Sequence, residues 1–425
     1  MKPNHKFFLT IIAIITSITS LHALSDEEMD KFILGKSFFE TPWVEAPSAT
    51  TARDGLGPLY SANTCLSCHP HNGRGSVYNT KGQISRSLVT RLSIKSKNID
   101  AKKGFIAEPT YGAQLSINSI YGVPFEGETS RYYIDKVVTN GWENIILHKP
   151  VYGVSQLHYG KLAKDVVISQ RVALGLLGLG FLEQLSDAQI LANEDIDDKN
   201  NDGISGKANR VYSLETSHIE IGRYTHKASV PSIKHQVAGA FHNDMGLTSP
   251  LYPNDNCTKS QKKCLTSPKG INNYDVPMKR LNAVSFYIQN LQAPKTKKSQ
   301  LYKDGLKIFK QISCSACHIT SFTLKSAKII HPFSDLLLHD MGEGLADGRV
   351  EFKANGNEFR STPLWGISIY KSILKDRMNY LHDGRAKTIQ EAILWHSGEA
   401  QKAKDNFKKL QPKQQKLLID FLEIL

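Results

Sequence analysis

The sequence contains the pattern C-x-x-C-H twice, as CLSCH at residues 65–69 and as CSACH at residues 314–318. Two thiols one helical turn apart can add across the two vinyl groups of haem, and the histidine that follows then reaches the iron as its proximal ligand. Zinc sites and redox dithiols also use C-x-x-C, but a histidine after both pairs favours two c-type haems. The predicted anchors are Cys65, Cys68, Cys314 and Cys317, and the predicted proximal ligands are His69 and His318.

The remaining two cysteines, Cys257 and Cys264, lie in a polar loop. The N-terminus, described below, predicts export to an oxidising compartment. We therefore expect a local disulfide between these two cysteines. A redox-active dithiol is the alternative, although no adjacent histidine or helix start favours a low thiol pKa there. A zinc site at either C-x-x-C would need further cysteines or histidines at ligand spacing. Every cysteine therefore has a predicted role, four as haem anchors and two as a disulfide.

The N-terminus has the pattern of a secretory signal peptide. Lys2 and Lys6 precede an apolar run over residues 7–21, and the small residue Ala23 precedes an acidic stretch. This predicts a signal peptide over residues 1–23, cut after Ala23, and a periplasmic protein with no integral membrane span after processing. An uncleaved membrane anchor is the alternative.

Composition excludes several classes of protein. The 425 residues are 40% hydrophobic, which is enough for ordinary cores and excludes a disordered or collagen-like chain. Fifty-three basic and 40 acidic residues give a net charge of +13 with histidine neutral. The lysines are spread along the chain and an exported protein rarely meets nucleic acid, so we expect no nucleic-acid partner. An acidic redox protein fits the positive surface better.

The residues on the far side of each haem decide its role. A second strong ligand makes an electron-transfer haem, whereas an empty or labile position makes a catalytic one. Met341 and His339 directly follow the apolar run at residues 336–338. Either side chain could reach a buried iron, and they are the candidate distal iron ligands.

The Asp-rich segment around residues 195–204 resembles an EF-hand-type calcium loop. With Asp198 at position 1, Asn200, Asp202 and the Ile204 carbonyl occupy ligand positions, and Gly203 occupies the turn position. Asn209 stands at position 12, where a bidentate glutamate is usual. A simple acidic turn after a helix is the alternative to calcium binding.

Five long motifs resemble the dihaem oxidoreductases, also labelled thiol oxidoreductase-like proteins, which are relatives of the bacterial dihaem cytochrome c peroxidases. The motifs lie at residues 46–75, 198–211, 235–257, 334–348 and 359–400, and the similarity runs from Gly35 to Leu425. One departure is a longer gap between the two haem motifs, around residues 160–264. The distal groups of the catalytic haem are therefore not transferred from the family.

The resemblance implies two cytochrome c-like haem domains with divided roles. His69 would hold the catalytic, peroxide-binding haem, and His318 would hold the electron-transfer haem. The string YLHDG at residues 380–384 resembles a stretch that lies beside the second haem in the peroxidases. His382 and His396, both in the C-terminal third, are the candidate catalytic side chains.

Hydrophobic spacing and the resemblance together predict a mainly α fold, with loop-rich regions and a few short strands. Helices are expected within residues 24–46, 166–192 and 277–292, and short strands or a hairpin within 111–160. The predicted organisation is a signal peptide over residues 1–23, an N-terminal cytochrome c-like haem domain over 24–160, a middle segment over 161–300 with the Asp-rich loop, the Cys257/Cys264 pair and a linker, and a C-terminal cytochrome c-like haem domain over 301–425.

Three functions fit these residues. The first is a periplasmic dihaem oxidoreductase of the peroxidase type, which takes electrons from a small cytochrome c or cupredoxin and reduces peroxide or another small oxidant. The second is a non-enzymatic dihaem electron carrier or redox sensor. The third is an oxidase of a thiol, a metal or a partner-protein side chain. The axial coordination of the two irons separates the first two.

Overall fold

Short helices and small antiparallel sheets alternate along the chain in a computed structural model that describes residues 24–96, 98–270 and 273–425. The predicted signal peptide lies outside the described residues. The expectation of a mainly α fold is wrong, because the structure contains 29% helix and 18% strand. Among the described helices, none is both long and apolar enough to cross a membrane.

The helices are mostly one to four turns long. In chain order they are α1 (Asp26–Glu40), α2 (Leu179–Glu183), α3 (Asp187–Leu191), α4 (Ile233–Met245), α5 (Lys262–Leu265), α6 (Met278–Gln289), α7 (Gln300–Gln311), α8 (Ile367–Leu374), α9 (Ile389–Trp395), α10 (Gln401–Lys409) and α11 (Pro412–Glu423).

The described strands form two-stranded antiparallel sheets that pair as β1–β3, β2–β6, β4–β5, β7–β8, β9–β10 and β11–β12. Their bounds are β1 (Leu59–Tyr60), β2 (Leu88–Ile94), β3 (Asn118–Ser119), β4 (Glu128–Thr139), β5 (Asn144–Ser155), β6 (Val166–Val172), β7 (Arg210–Tyr212), β8 (Ile219–Ile221), β9 (Phe322–Thr323), β10 (Ile329–Ile330), β11 (Leu338–Asp340) and β12 (Glu358–Arg360).

Two strand regions account for most of the error in fold class. The hairpin of β4 and β5 keeps an unbroken register from Glu128–Ser155 to Thr139–Asn144, far longer than the short strands expected there. The helix expected over residues 166–192 is instead β6 followed by a turn and the short helices α2 and α3. The β-branched residues at the start of that segment favour a strand, and its glycines interrupt a long helix.

The strand β2 pairs with β6 along seven residues, from Leu88–Val172 to Ile94–Val166. This sheet joins the segment predicted as the N-terminal haem domain to the segment predicted as the middle region. The domain boundaries stay a prediction, and the pairing shows that these two segments share a sheet.

Each C-x-x-C-H motif lies beside helices that approach one another closely at a glycine. Near the first motif α1 packs on α6, and a Cβ on Gly35 would lie 2.0 Å from the Ala283 carbonyl oxygen. Near the second motif α7 packs on α11, and a Cβ on Gly305 would lie 2.1 Å from the Phe421 Cβ. Only glycine permits such contacts. These helix pairs fix the position of the turns that carry the cysteines.

Candidate functional site

Both C-x-x-C-H motifs open onto one cavity of about 1110 Å³. Its wall includes the cysteines and the histidine of each motif, together with side chains of α4 and α9. Ligand pockets in proteins commonly have volumes of roughly 300–1,000 Å³. A cavity of this size that reaches both motifs fits large planar groups attached at the two turns.

The first motif forms a 3₁₀ turn over Cys65–Ser67 that is fastened to α1. The Thr64 hydroxyl donates to the Phe39 carbonyl at 2.9 Å, and the backbone N–H of His69 donates to the Cys65 carbonyl at 3.0 Å. The Nδ1 atom of His69 is buried and has no hydrogen-bond partner among the described residues. Burial lowers the pKa of His69, so its imidazole is held neutral and can act as a ligand.

The second motif forms the same kind of turn, over Cys314–Ala316, directly after α7. The backbone N–H of His318 donates to the Cys314 carbonyl at 3.1 Å, and its ring Nδ1 donates to the Phe333 carbonyl at 2.9 Å. With the proton fixed on Nδ1, the Nε2 atom of the neutral ring carries the lone pair. Metal-binding histidines are commonly oriented by this type of hydrogen bond.

The four motif cysteines are unpaired thiols. Burial raises the pKa of Cys65 and Cys314 to about 12, and it also raises the pKa of Cys68 and Cys317. Redox-active cysteines have lowered pKa values instead. Among the described residues, no group of three or more His, Cys, Asp or Glu side chains has the arrangement of a metal site. The residues fit covalent attachment of haem better than either alternative.

His339, a candidate distal ligand, lies between two carboxylates. Its Nε2 is 2.9 Å from Asp335 Oδ2 and its Nδ1 is 2.7 Å from Glu399 Oε2. Burial opposes protonation, but the two carboxylates raise the pKa of His339 well above its usual value. Its Nδ1 also lies 3.6 Å from the Cys317 sulfur. Both ring nitrogens are thus engaged beside the second motif.

The other candidates lie on the cavity wall. Met341 is partly buried against the core of the second motif. His382 stacks on Phe359 with ring centroids 4.1 Å apart, and its Nε2 lies 3.5 Å from the Tyr152 hydroxyl. Burial lowers the pKa of His382 to about 3. His396 ends α9, and its Nδ1 donates to the Ala392 carbonyl at 2.7 Å.

Two cavity-lining histidines of α4 were not singled out from the sequence. His235 and His242 lie seven residues apart on one face of that helix, next to Tyr252. His242 stacks on Tyr252 at 4.8 Å, and the His235 Nε2 lies 3.4 Å from the Tyr252 hydroxyl. The Nδ1 atoms of both are buried without a described partner. Their separation of seven residues, which is two helical turns, was the sequence signal that could have identified them.

The Asp-rich loop turns its side chains onto its own backbone. Asp198 Oδ1 accepts from the Asp202 N–H at 3.0 Å, and Asn200 Oδ1 accepts from the same group at 2.9 Å. Asn209 points elsewhere, because its amide donates to the Lys227 and Glu351 carbonyls and accepts from the Lys353 N–H. Asn209 is fully buried, and these bonds hold its amide away from the Asp-rich loop.

The structure joins Cys257 and Cys264 in a disulfide. The bonded pair packs with Leu59, Ile120 and Val123 in a small apolar cluster. Gln261, which lies between the two cysteines, donates to the buried carboxylate of Glu126 at 2.5 Å. The disulfide thus holds a loop that contributes to the wall near the first motif.

The family model described as "Di-haem oxidoreductase, putative peroxidase" matches residues 8–125 and 148–425. The unmatched residues 126–147 contain β4 and the first part of β5, so the long hairpin lies largely outside the family pattern. No curated protein matches the chain.

Among solved structures, hydrazine synthase of Kuenenia stuttgartiensis, pressurised with 20 bar of xenon, is similar at 18% identity with a TM-score of 0.25. The alignment covers 41% of this chain and 65% of that one. The chain thus spans less than two thirds of that structure's chain, and a TM-score this low carries no argument about fold or activity.

Proposed function

The chain belongs to the di-haem oxidoreductase family, and on that premise we propose that it is an exported c-type oxidoreductase with peroxidase-like activity. The observation that carries the proposal is that both C-x-x-C-H turns open onto one cavity. Two redox groups attached to the walls of one cavity can lie close enough for electrons to pass directly from one to the other.

Covalent attachment would use the four unpaired thiols, with His69 and His318 as the proximal ligands. The neutral, buried thiols and the fixed tautomer of His318 support this assignment. When bound, the haem irons would supply the electron transfer and the cleavage of the peroxide O–O bond. The protein's part is to orient the ligands, shape the cavity and handle protons.

The part of the cavity beside the first motif is proposed as the catalytic part, as the family resemblance implies. His242 lines the cavity, and burial lowers its pKa to about 4, so its imidazole is neutral at pH 7 and can accept a proton. Gly239, one turn before it, also lines the cavity. We propose that His242 takes the proton of the incoming peroxide.

The part of the cavity beside the second motif is proposed to hold the electron-transfer haem. His318 is tied to the Phe333 carbonyl, and the clamp of Asp335, His339 and Glu399 lies directly beside Cys317. Groups held this firmly change little between oxidation states, which suits electron transfer. The electrons would come from a small donor protein, a cytochrome c or a cupredoxin, and the net charge of +13 favours an acidic one.

The proposed location is the periplasm, which is where c-type cytochromes and their small donor proteins meet. Calcium binding by the Asp-rich loop is a further part of the proposal, limited to Asp198, Asn200, Asp202 and the Ile204 carbonyl. The shared hydrogen bonds to the Asp202 N–H bring the Asp198 and Asn200 oxygens close together, which supports it. Isothermal titration of the chelated protein with calcium, and of Asp198→Asn as control, tests this part.

The holoprotein tests the main proposal by steady-state peroxide consumption with a reduced small cytochrome c as donor. We expect turnover that depends on both protein concentration and donor reduction. The absence of turnover, with two saturated haems, would favour the electron carrier or sensor. Turnover of thiols or ferrous iron without peroxide consumption would favour the third function, an oxidase.

A further inference from the structure

The helix α9 turns one face toward the cavity near the second motif. Ile389, Ala392, Ile393 and His396 follow the i, i+3, i+4, i+7 spacing, and all four line the cavity. Leu394 and Trp395, on the opposite face, are buried in the core. His396 is partly exposed and caps the C-terminal end of this face.

The ring of His396 is held in one tautomer. The Ala392 carbonyl can only accept, so Nδ1 must donate the 2.7 Å hydrogen bond. His396 and His318 line the same cavity. The Nε2 atom then carries a lone pair. No described residue offers that lone pair a donor.

His318 and His396 thus have the same design, in which Nδ1 donates to a backbone carbonyl and Nε2 faces the cavity. We propose that His396 is the second axial ligand of the haem carried by the second motif, so that this iron is coordinated by two histidines. The inference rests on the proposed function, because it requires haem at Cys314 and Cys317. A saturated iron of this kind transfers electrons and does not bind peroxide.

The two ligands expected from the sequence fit this position less well. His339 has both nitrogens engaged by Asp335 and Glu399. Met341 lines the cavity, but a thioether packed against apolar side chains needs no polar partner. The Nε2 atom of His396, in contrast, is polar and has no hydrogen-bond partner among the described residues. His396 therefore has the stronger claim to the iron.

The test uses the full-length holoprotein and three variants, His396→Met, His396→Ala and Met341→Leu. Haem content by pyridine haemochrome comes first, and two haems per chain are expected in all of them. Electron paramagnetic resonance gives the spin state of each ferric haem, and near-infrared magnetic circular dichroism distinguishes bis-histidine from histidine–methionine coordination. Potentiometry then measures the reduction potential of the low-spin haem.

In the wild type and in Met341→Leu we expect the same bis-histidine near-infrared band. His396→Ala should convert that haem from low-spin to high-spin, and His396→Met should give a methionine-type band with a higher potential, because methionine ligation raises it. A methionine-type band in the wild type that Met341→Leu abolishes would overturn the inference. So would a low-spin spectrum unchanged in His396→Ala.

If a His396 variant fails to mature, the wild type and Met341→Leu still decide between the two ligands. A bis-histidine band in both supports the inference, and a methionine-type band overturns it. Fewer than two haems in the wild type would instead defeat the proposed function, whereas two haems with unchanged ligation in His396→Ala would defeat only the ligand assignment.

Discussion

The two C-x-x-C-H regions have the same turn and different surroundings. In each, the histidine N–H donates to the first cysteine carbonyl, at 3.0 Å and 3.1 Å. Beyond the second turn, the rings of His318 and His396 are both fixed by backbone carbonyls. Near the first, the rings of His69 and His242 keep Nδ1 atoms without a described partner. We therefore propose that the motif specifies attachment and that the opposite wall of the cavity specifies the role of each haem.

Removal of either cysteine pair tests this comparison with the largest expected effect. Cys65→Ala/Cys68→Ala should lose one of two haems and all peroxide turnover, while the low-spin signal of the second haem remains. Cys314→Ala/Cys317→Ala should lose the other haem and the low-spin signal. Haem stoichiometry and electron paramagnetic resonance check both. The division of roles is wrong if the two double variants lose the opposite signals.

The variant His242→Gln tests the proposed catalytic role of the cavity wall beside the first motif. Loss of a proton acceptor lowers turnover by about 10²-fold or more, whereas the spectra of both haems should stay as in the wild type. The matched control is His218→Gln, at an exposed histidine of the same half of the chain. Steady-state kinetics with peroxide gives the comparison. Equal rates in the two variants would remove His242 from the mechanism.

Haem attachment could be predicted from the sequence because the chemistry of thioether formation is local to five residues, and it stays a prediction. The distal ligands also stay a prediction, and they are harder to choose from the sequence because the distal side is assembled from distant segments. His339 was chosen for its position after an apolar run, but Glu399, 60 residues away, engages its ring. His396 was singled out as a catalytic candidate, and only the geometry of α9 suggests an axial ligand instead.

The fold shows the same limit. The helices α1 and α6 lie where apolar spacing indicated, since that spacing is a local signal. The strand β6 was expected to be helical, because its run of apolar residues fits a buried strand or a helix equally well. Its partner β2, more than 70 residues earlier, supplies the hydrogen bonds that decide between them.

The free energy of unfolding should depend on pH through Glu126, a buried side chain in the region of the first motif. Burial raises the pKa of Glu126 to about 8, and none of its hydrogen-bond partners is a cation. The folded state then holds a proton that the unfolded state releases above its ordinary pKa of 4.5. The unfolding free energy should therefore fall as pH rises from 4.5 toward 8, by up to about 1.4 kcal/mol per pH unit.

Urea unfolding across this pH range measures the slope. Glu126→Gln should flatten it, and Glu27→Gln, at an exposed site on α1, should not. In the second region the buried carboxylates Asp335 and Glu399 have His339 as partner. An unchanged slope in Glu126→Gln would show that Glu126 is not the source of the pH dependence.

The smallest expected effect concerns the disulfide, which lies beside the first region. Cys257→Ser/Cys264→Ser opens a loop with a sequence separation of 7, and loop-closure entropy predicts a loss of about 2–3 kcal/mol in unfolding free energy. Thermal unfolding measures the loss. The low-spin spectrum of the second haem should not change. A change in that spectrum would mean that the disulfide loop is coupled to the second region.

The division of roles between the two regions is tested most directly by electron paramagnetic resonance of the holoprotein, fully oxidised and half-reduced. We predict one low-spin haem, assigned to the second motif, and one haem that is high-spin or becomes high-spin on half-reduction. Two low-spin, six-coordinate haems in both states would contradict the account.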